Sequence, residues 1–208
     1  MNSKKSHLDS TISYYDNSAD KLIPSYEIAD MSELHSLLLS TLSPKSKVLD
    51  IGFGSGRDLA FLQNNVFDIW GIDPSHMFVD YAKERFSNIS DHFFIGSLPH
   101  LDIPKELLHS FDSVTLIAVW MHLPKESYED SIISLCSLLK PQGKVILSYS
   151  VTPRIGETER YFENVDTVLL QDLFKRYGFT RVATINNKDG LGEREITWVT
   201  EAYSYDKL

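Results

Sequence analysis

The sequence predicts an α/β fold: a doubly wound, mostly parallel sheet finished by an antiparallel C-terminal strand pair. Three observations predict it. The apolar run Lys47-Val48-Leu49-Asp50-Ile51 breaks into glycines at alternate positions, Gly52, Gly54 and Gly56, and about 20 residues later a second run, Ile69-Trp70-Gly71-Ile72, ends in Asp73. Downstream, apolar runs rich in β-branched residues alternate with stretches of helical periodicity, the pattern of a parallel sheet covered by helices. After the fifth such run, two alternating segments flank the loop Asn187-Lys188-Asp189-Gly190-Leu191-Gly192, as antiparallel neighbours do.

The elements follow in order. Met1–Asn17 reads as a loose lead-in. Ser32–Leu42 is a helix with Leu34, Leu37, Leu38 and Leu42 near one face, and Pro44 ends it. Ser46–Ile51 is a short buried strand, Arg57–Asn64 a helix opening just after the glycines, and Phe67–Ile72 the second strand. Ser75–Phe86 is a helix with an apolar stripe of Met77, Phe78, Tyr81, Ala82 and Phe86. His92–Ile95 is the third strand, followed by the turn Gly96-Ser97, and Phe111–Val119 is a strongly β-branched fourth strand. Lys125–Leu139 is a helix with Pro124 near its first turn, and Lys144–Tyr149 is the fifth strand. Val151–Glu163 is irregular. Val165–Tyr177 is a helix stopped by Gly178, and Phe179–Asn186 and Glu195–Ala202 are the closing pair. The chain divides into residues 1–30, a lead-in that forms a lid, and a single domain over residues 31–208.

Composition narrows the function. A chain of 208 residues with 42% hydrophobic and 24% charged residues reads as a globular domain. The N-terminus carries no signal-peptide pattern and no apolar run reaches the ~20 residues of a membrane span, so a cytoplasmic location is expected. A single cysteine, Cys136, excludes an internal disulfide, and it reads as an inert core residue. The seven histidines are scattered, so no metal site is expected. A net charge of −9 disfavours a general nucleic-acid binder. Nothing in the sequence fixes the oligomeric state.

A strand, a glycine turn, a helix and a second strand ending in a carboxylate bind nucleoside cofactors in Rossmann-like sheets. The glycines let the backbone approach the ligand, and the terminal acid accepts from ribose hydroxyls. The spacing Gly52-x-Gly54-x-Gly56 differs from the G-x-G-x-x-G of dinucleotide enzymes. Asp50 and Asp58 flank the helix start, where they repel a pyrophosphate and suit a ligand carrying positive charge. A nicotinamide dehydrogenase is thereby disfavoured.

These motifs resemble class I S-adenosylmethionine-dependent methyltransferases over roughly Tyr14 to Ala202. Val48–Gly56 is similar to the family's first motif, with Phe53 where Cys or Ala is commoner, and Gly71-Ile72-Asp73-Pro74-Ser75-His76-Met77 to its second. Gly96-Ser97-Leu98 is similar to the adenine-contacting turn, Phe111–Leu123 to strand four and its exit, and Leu138–Gly143 to the entry into strand five. The resemblance implies S-adenosylmethionine as cofactor. It implies that Gly52 and Gly54 line its methionine part, Asp50 holds the α-amino group, Asp73 binds the ribose hydroxyls and Met77 packs on adenine. Ser97 stands where many members place an Asp near the adenine amine. The Leu98 N–H would bond a ring nitrogen, Arg57 would pair with the cofactor carboxylate, and Val119 lies at the cofactor-facing exit of strand four. Tyr14 and Tyr15 resemble the family's aromatic lid.

The reaction implied is an in-line displacement of the sulfonium methyl by a nucleophile on the acceptor, with the protein aligning the two and excluding water. His122 is the candidate general base, or a residue capping the loop after strand four. Trp120 is read as a pocket wall in preference to a core residue, while Arg154 and Arg160 either bind an anionic group of the substrate or form surface pairs. The chain lacks an Asn/Asp-Pro-Pro-Tyr/Phe motif and a cysteine in a motif position, which disfavours methylation of adenine or cytosine in DNA. A small-molecule acceptor is expected. The alternatives are a nucleic-acid or protein methyltransferase and a non-catalytic cofactor-binding module.

Overall fold

In the computed structural model, which describes residues 7–153, 159–192 and 195–206, seven strands form one sheet. They are β1 (Lys47–Ile51), β2 (Asp68–Asp73), β3 (Phe93–Ile95), β4 (Phe111–Ile117), β5 (Leu139–Ser150), β6 (Phe179–Lys188) and β7 (Thr197–Tyr205). Their order is β3-β2-β1-β4-β5-β7-β6. The first five pair in parallel, and β7 runs antiparallel to both β5 and β6. This is the expected architecture, a Rossmann-like sheet with an antiparallel close.

The helices are α1 (His7–Glu27), α2 (Ser32–Thr41), α3 (Arg57–Asn64), α4 (His76–Arg85), α5 (Tyr128–Leu138) and α6 (Thr167–Arg176). Alternate residues of each central strand feed opposite cores. Val48 and Ile69 pack with Leu38, Leu59 and Val79 of α2, α3 and α4. Leu49, Val114 and Leu116 pack with Ile132 and Leu135 of α5 and Leu170 and Phe174 of α6. Burial on both faces is why these strands read as unbroken apolar runs in place of an alternation.

The structure departs from the sequence reading at several places. The expected lead-in is helical from His7, and α1 runs 21 residues to Glu27. Thr11, Tyr15, Ala19, Leu22 and Tyr26 recur at spacings of three and four, and Ala19 is 2% exposed against the α2–α4 core. Pro24 sits in the last turn of this helix. The helix predicted from Lys125 starts at Tyr128, after a short 3₁₀ turn over Lys125–Ser127. β5 begins at Leu139, before the predicted Lys144, and β7 continues past Ala202 to Tyr205. Cys136 is half-buried, and its Sγ lies 3.9 Å from the Tyr177 carbonyl oxygen. Among the described residues, no helix is long and apolar enough to cross a membrane.

Candidate active site

The chain leaves β1 toward β2 on one side and β4 lies on the other. Such a reversal of strand order opens a crevice at the carboxyl ends of the strands. A cavity of about 1000 Å³ lies there. Gly52, the residue after β1, has φ +74, and a Cβ on it would stand 2.5 Å from Val119 Cγ2, so backbone conformation and space both require glycine. Its N–H donates to the Ile72 carbonyl at 2.7 Å, which ties the turn to β2.

Two buried carboxyls face this turn. Asp50 is 2% exposed and accepts from Thr115 Oγ1 at 2.7 Å, across the register pairing of β1 with β4. Burial, with the neighbouring Asp58 charge, pushes its pKa up to about 8. Asp73 accepts from the N–H of Gly54 and of Ser75, each at 2.9 Å. Burial outweighs those two bonds and raises its pKa to about 7. Asp58 behaves oppositely. Burial pushes it up, but His35 Nε2 at 2.8 Å and the Arg57 guanidinium outweigh that and hold it at about 2. Arg57 is already engaged, with Nε and Nη2 on Asp58 and Nη1 on the Tyr26 carbonyl at 3.0 Å.

Helix α1 covers the crevice and is pinned along its length. Thr11 Oγ1 accepts from the Tyr161 N–H, Asp16 accepts from Ser75 Oγ at 2.7 Å, and Glu27 accepts from Ser55 Oγ at 2.7 Å and from Arg85. Between these pins, Tyr15 meets His122. The Nδ1 of His122 lies 2.7 Å from the Tyr161 carbonyl oxygen, which can only accept, so Nδ1 carries the proton of the neutral ring. Nε2 is left as the acceptor, and the Tyr15 hydroxyl donates to it at 2.9 Å. Arg160 Nη1 donates in turn to the Tyr15 oxygen at 3.0 Å. Burial pushes the Tyr15 pKa up, against the lowering effect of Arg160. Val119–His122 is aimed by the end of β4, where Ala118, at φ 61, donates its N–H to the Ser148 carbonyl and Oγ at 3.1 and 3.0 Å.

The far end of the cavity is closed by the β6–β7 hairpin resting on the α1–α2 connection. The Asp30 N–H donates to the Gly190 carbonyl at 2.9 Å, Asn187 Nδ2 donates to Glu33, and Trp198 Nε1 donates to Asp189 at 3.2 Å. A Cβ on Gly190 would lie 2.6 Å from the Asp30 oxygen.

Of the residues singled out from the sequence, Tyr14, Asp50, Gly52, Gly54, Arg57, Asp73, Ser97, Leu98, Val119, His122 and Arg160 line this one cavity. Two others lie elsewhere. Met77 is 45% exposed on α4, and Phe78, 2% exposed, takes the inward place beside it and lines the cavity. Trp120 is fully buried against Tyr128 and Phe174, in the core beneath α5 and α6 rather than in a pocket wall. Arg154 lies outside the described residues. The sequence reading missed Asp16, Tyr26, Phe162, Asn187 and Trp198. The helical spacing of α1 signals Tyr26, but no local signal marks the hairpin residues.

A profile of the methyltransferase domain matches residues 25–186. An uncharacterized methyltransferase of Oceanobacillus iheyensis is 29% identical over 174 residues, 81% of this chain and 73% of that protein. Another from Alkaliphilus oremlandii is 27% identical over 144 residues, 67% of this chain, and the match spans only 61% of that relative's length. Among solved structures, 1,6-didemethyltoxoflavin-N1-methyltransferase of Burkholderia thailandensis, with its substrate and S-adenosylhomocysteine bound, superposes with TM-score 0.77 at 17% identity, over 100% of this chain and 92% of that one. Geranyl diphosphate C-methyltransferase of Streptomyces coelicolor superposes with TM-score 0.68 at 11% identity, over 98% and 99% of the two chains.

Proposed function

Since this chain belongs to the methyltransferase-domain family, and is a class I enzyme that uses S-adenosylmethionine, we propose that it methylates a small molecule whose nucleophilic atom carries a proton, with His122 as the base. The observation that carries this reading is the cavity of about 1000 Å³ with the His122 imidazole on its wall, Nδ1 on the Tyr161 carbonyl and Nε2 on the Tyr15 hydroxyl. Pockets for single drug-sized ligands span ~300–1000 Å³, so this one has room for a cofactor and a compact acceptor together. A net charge of −9 opposes a nucleic acid. The structural relatives with bound ligands act on small molecules, which supports the same choice.

The residues present fit the cofactor. The glycine cradle at Gly52, which a Cβ would fill, admits a ligand against the backbone. Asp73 would hold the ribose diol, and Asp50, a buried carboxyl, would hold the α-ammonium. Ser97 and Leu98 would meet the adenine, with Phe78 in the apolar place that Met77 was expected to fill. Arg57 keeps its bonds to Asp58 and Tyr26, so its role here is to anchor α1 to α3. Residues 1–30 would act as the lid, chiefly through α1. When bound, S-adenosylmethionine supplies an electrophilic methyl group on a positively charged sulfur. The chain's own part is to orient the acceptor, keep water out with α1 and the hairpin, and take the acceptor's proton to His122 Nε2 by way of the Tyr15 hydroxyl bonded to it.

Calorimetry of the full chain against S-adenosylmethionine, S-adenosylhomocysteine and NAD tests the cofactor half. Micromolar binding of both sulfur compounds, absent for NAD and lost in Asp73→Ala, is expected. A screen of small acceptors with methyl-labelled cofactor tests the other half, and transfer to RNA or protein in preference to any small molecule would overturn the reading.

A further inference from the structure

The acceptor's chemistry is written in what surrounds Arg160. Its guanidinium carbon lies 4.7 Å from the ring centre of Tyr14, 5.0 Å from Phe162 and 5.5 Å from Tyr15. Three aromatic rings around a cation form the kind of box that elsewhere recognises an ammonium ligand. Here the chain fills that box with its own cation. An acceptor amine, charged at neutral pH, would therefore meet a guanidinium where it needed ring faces. A negative acceptor would meet the reverse, an attracting charge.

The neighbouring groups supply the means of making such an anion. Arg160, Tyr15 and His122 form a line of hydrogen bonds of 3.0 and 2.9 Å, and the line is anchored at its far end by Nδ1 on the Tyr161 carbonyl. The Tyr15 oxygen accepts one bond from Arg160 and retains a second lone pair. The rings of Tyr14, Tyr15, Phe162 and His122 stand within 4.7 to 5.7 Å of one another in neighbouring pairs, edge-on or tilted, so they offer an aromatic ligand both ring edges and ring faces. Opposing the cation is the Asp73 carboxyl, whose charge acts on Tyr15 from the end of β2.

We propose that the acceptor is a planar aromatic molecule with an acidic ring O–H or N–H, bound as its anion beside Arg160 and deprotonated through Tyr15 to His122. The acceptor's proton passes to the Tyr15 oxygen as Tyr15's own proton passes to Nε2 of His122. The acceptor keeps the electron pair and becomes the anion, His122 becomes imidazolium, and Tyr15 is unchanged. The electron pair left on that oxygen or nitrogen is the nucleophile. The proposal rests on the small-molecule reading above and narrows it to one class.

The test uses 4-nitrophenol as probe, because its phenolate is coloured and its phenol is not. With the full chain saturated in S-adenosylhomocysteine, bound probe should be phenolate well below the pH at which the free probe ionises, a shift of roughly tenfold or more in the ionisation equilibrium. Benzylamine, a cation of similar size, should bind at least roughly tenfold more weakly in calorimetry. Arg160→Gln should abolish the shift while S-adenosylhomocysteine still binds, which also shows that the variant is folded. Tyr15→Phe should weaken it. Colourless bound probe, or benzylamine binding as well as 4-nitrophenol, overturns the proposal and leaves the cofactor site standing. Failure of S-adenosylhomocysteine itself to bind overturns the site reading and the proposal with it.

Discussion

The hydroxyl of Tyr15 lies 2.9 Å from Nε2 of His122, and 107 positions of sequence separate them. Neither side chain sets this contact alone. Tyr15 is placed by a helix pinned through Thr11 and Asp16, and the imidazole is turned by the Tyr161 carbonyl at 2.7 Å. On the proposed mechanism an acceptor proton entering this pair would end on Nε2, because the Tyr161 carbonyl holds the proton of Nδ1.

His122→Ala removes that destination. Turnover is expected to fall by ~10²–10⁴, the range for a positioned general base. S-adenosylhomocysteine affinity should hold, because the buried carboxyls and glycine turn of the cofactor half are untouched. Parallel kinetics and calorimetry check the split; an equal loss in both would assign His122 to the cofactor instead.

Asp50 and Asp73 make stability depend on pH in the direction opposite to acid denaturation. Their folded pKa values, about 8 and about 7, lie above the ordinary carboxylate value. Between pH ~4 and those values the unfolded chain has lost protons that the folded chain retains, so their contribution falls as pH rises and levels off above pH ~8. Melting curves from pH 5 to 8 should decline less steeply in Asp50→Asn than in the wild type. Cofactor binding runs the other way: an ammonium favours ionised Asp50, so affinity should climb over the same interval, with proton release detectable by calorimetry in buffers of different ionisation heat.

Gly52→Ala meets two obstacles that can be separated. The methyl group would stand 2.5 Å from Val119 Cγ2, and φ +74 costs alanine about 1–2 kcal/mol. Val119→Ala removes the first obstacle and leaves the second. The double variant should therefore recover part, and only part, of the stability lost by Gly52→Ala. Urea unfolding of the four proteins in the cycle measures this, and full recovery would mean the backbone conformation carries no strain.

Trp120→Ala should cost about 3–5 kcal/mol of stability, the range for a large aromatic residue removed from a core. Fully buried between Tyr128 and Phe174, Trp120 touches the interior rather than the ligand. Urea unfolding gives the loss. At temperatures where the variant stays folded, S-adenosylhomocysteine should bind as it does to the wild type.

What the sequence disclosed follows from how locally each feature is encoded. The sheet was legible because β1, β2, β4 and β5 are buried on both faces and read as dense apolar runs. That Asp50, Gly52, Gly54 and Asp73 meet at one cavity was legible because they lie on one contiguous strand–turn–helix–strand unit. α1 was hidden because its inward stripe mixes Thr11, Tyr15, Ala19 and Tyr26 among polar residues and contains Pro24. Met77 and Phe78 are neighbours of similar hydrophobicity, and only the start of α4 after Ser75 decides which one points inward. Trp120 follows a strand end that faces the cavity, yet the 3₁₀ turn over Trp120–His122 sends the indole into the core and leaves His122 at the cavity. Arg160 and Tyr15 are 145 positions apart, and no periodicity records their meeting.

The hairpin resting on the α1–α2 connection has a consequence for the order of events in the cell. Asp30 bonds to Gly190, and Asn187 to Glu33, across 154 positions in the second case. The first wall of the chamber is thus synthesised long before the segment that seals it. A nascent chain still lacking β7 carries the glycine turn and both buried carboxyls but no finished enclosure. The cavity is completed only when residues 187–190 meet Asp30 and Glu33, so its two walls close by a long-range contact and not by local folding.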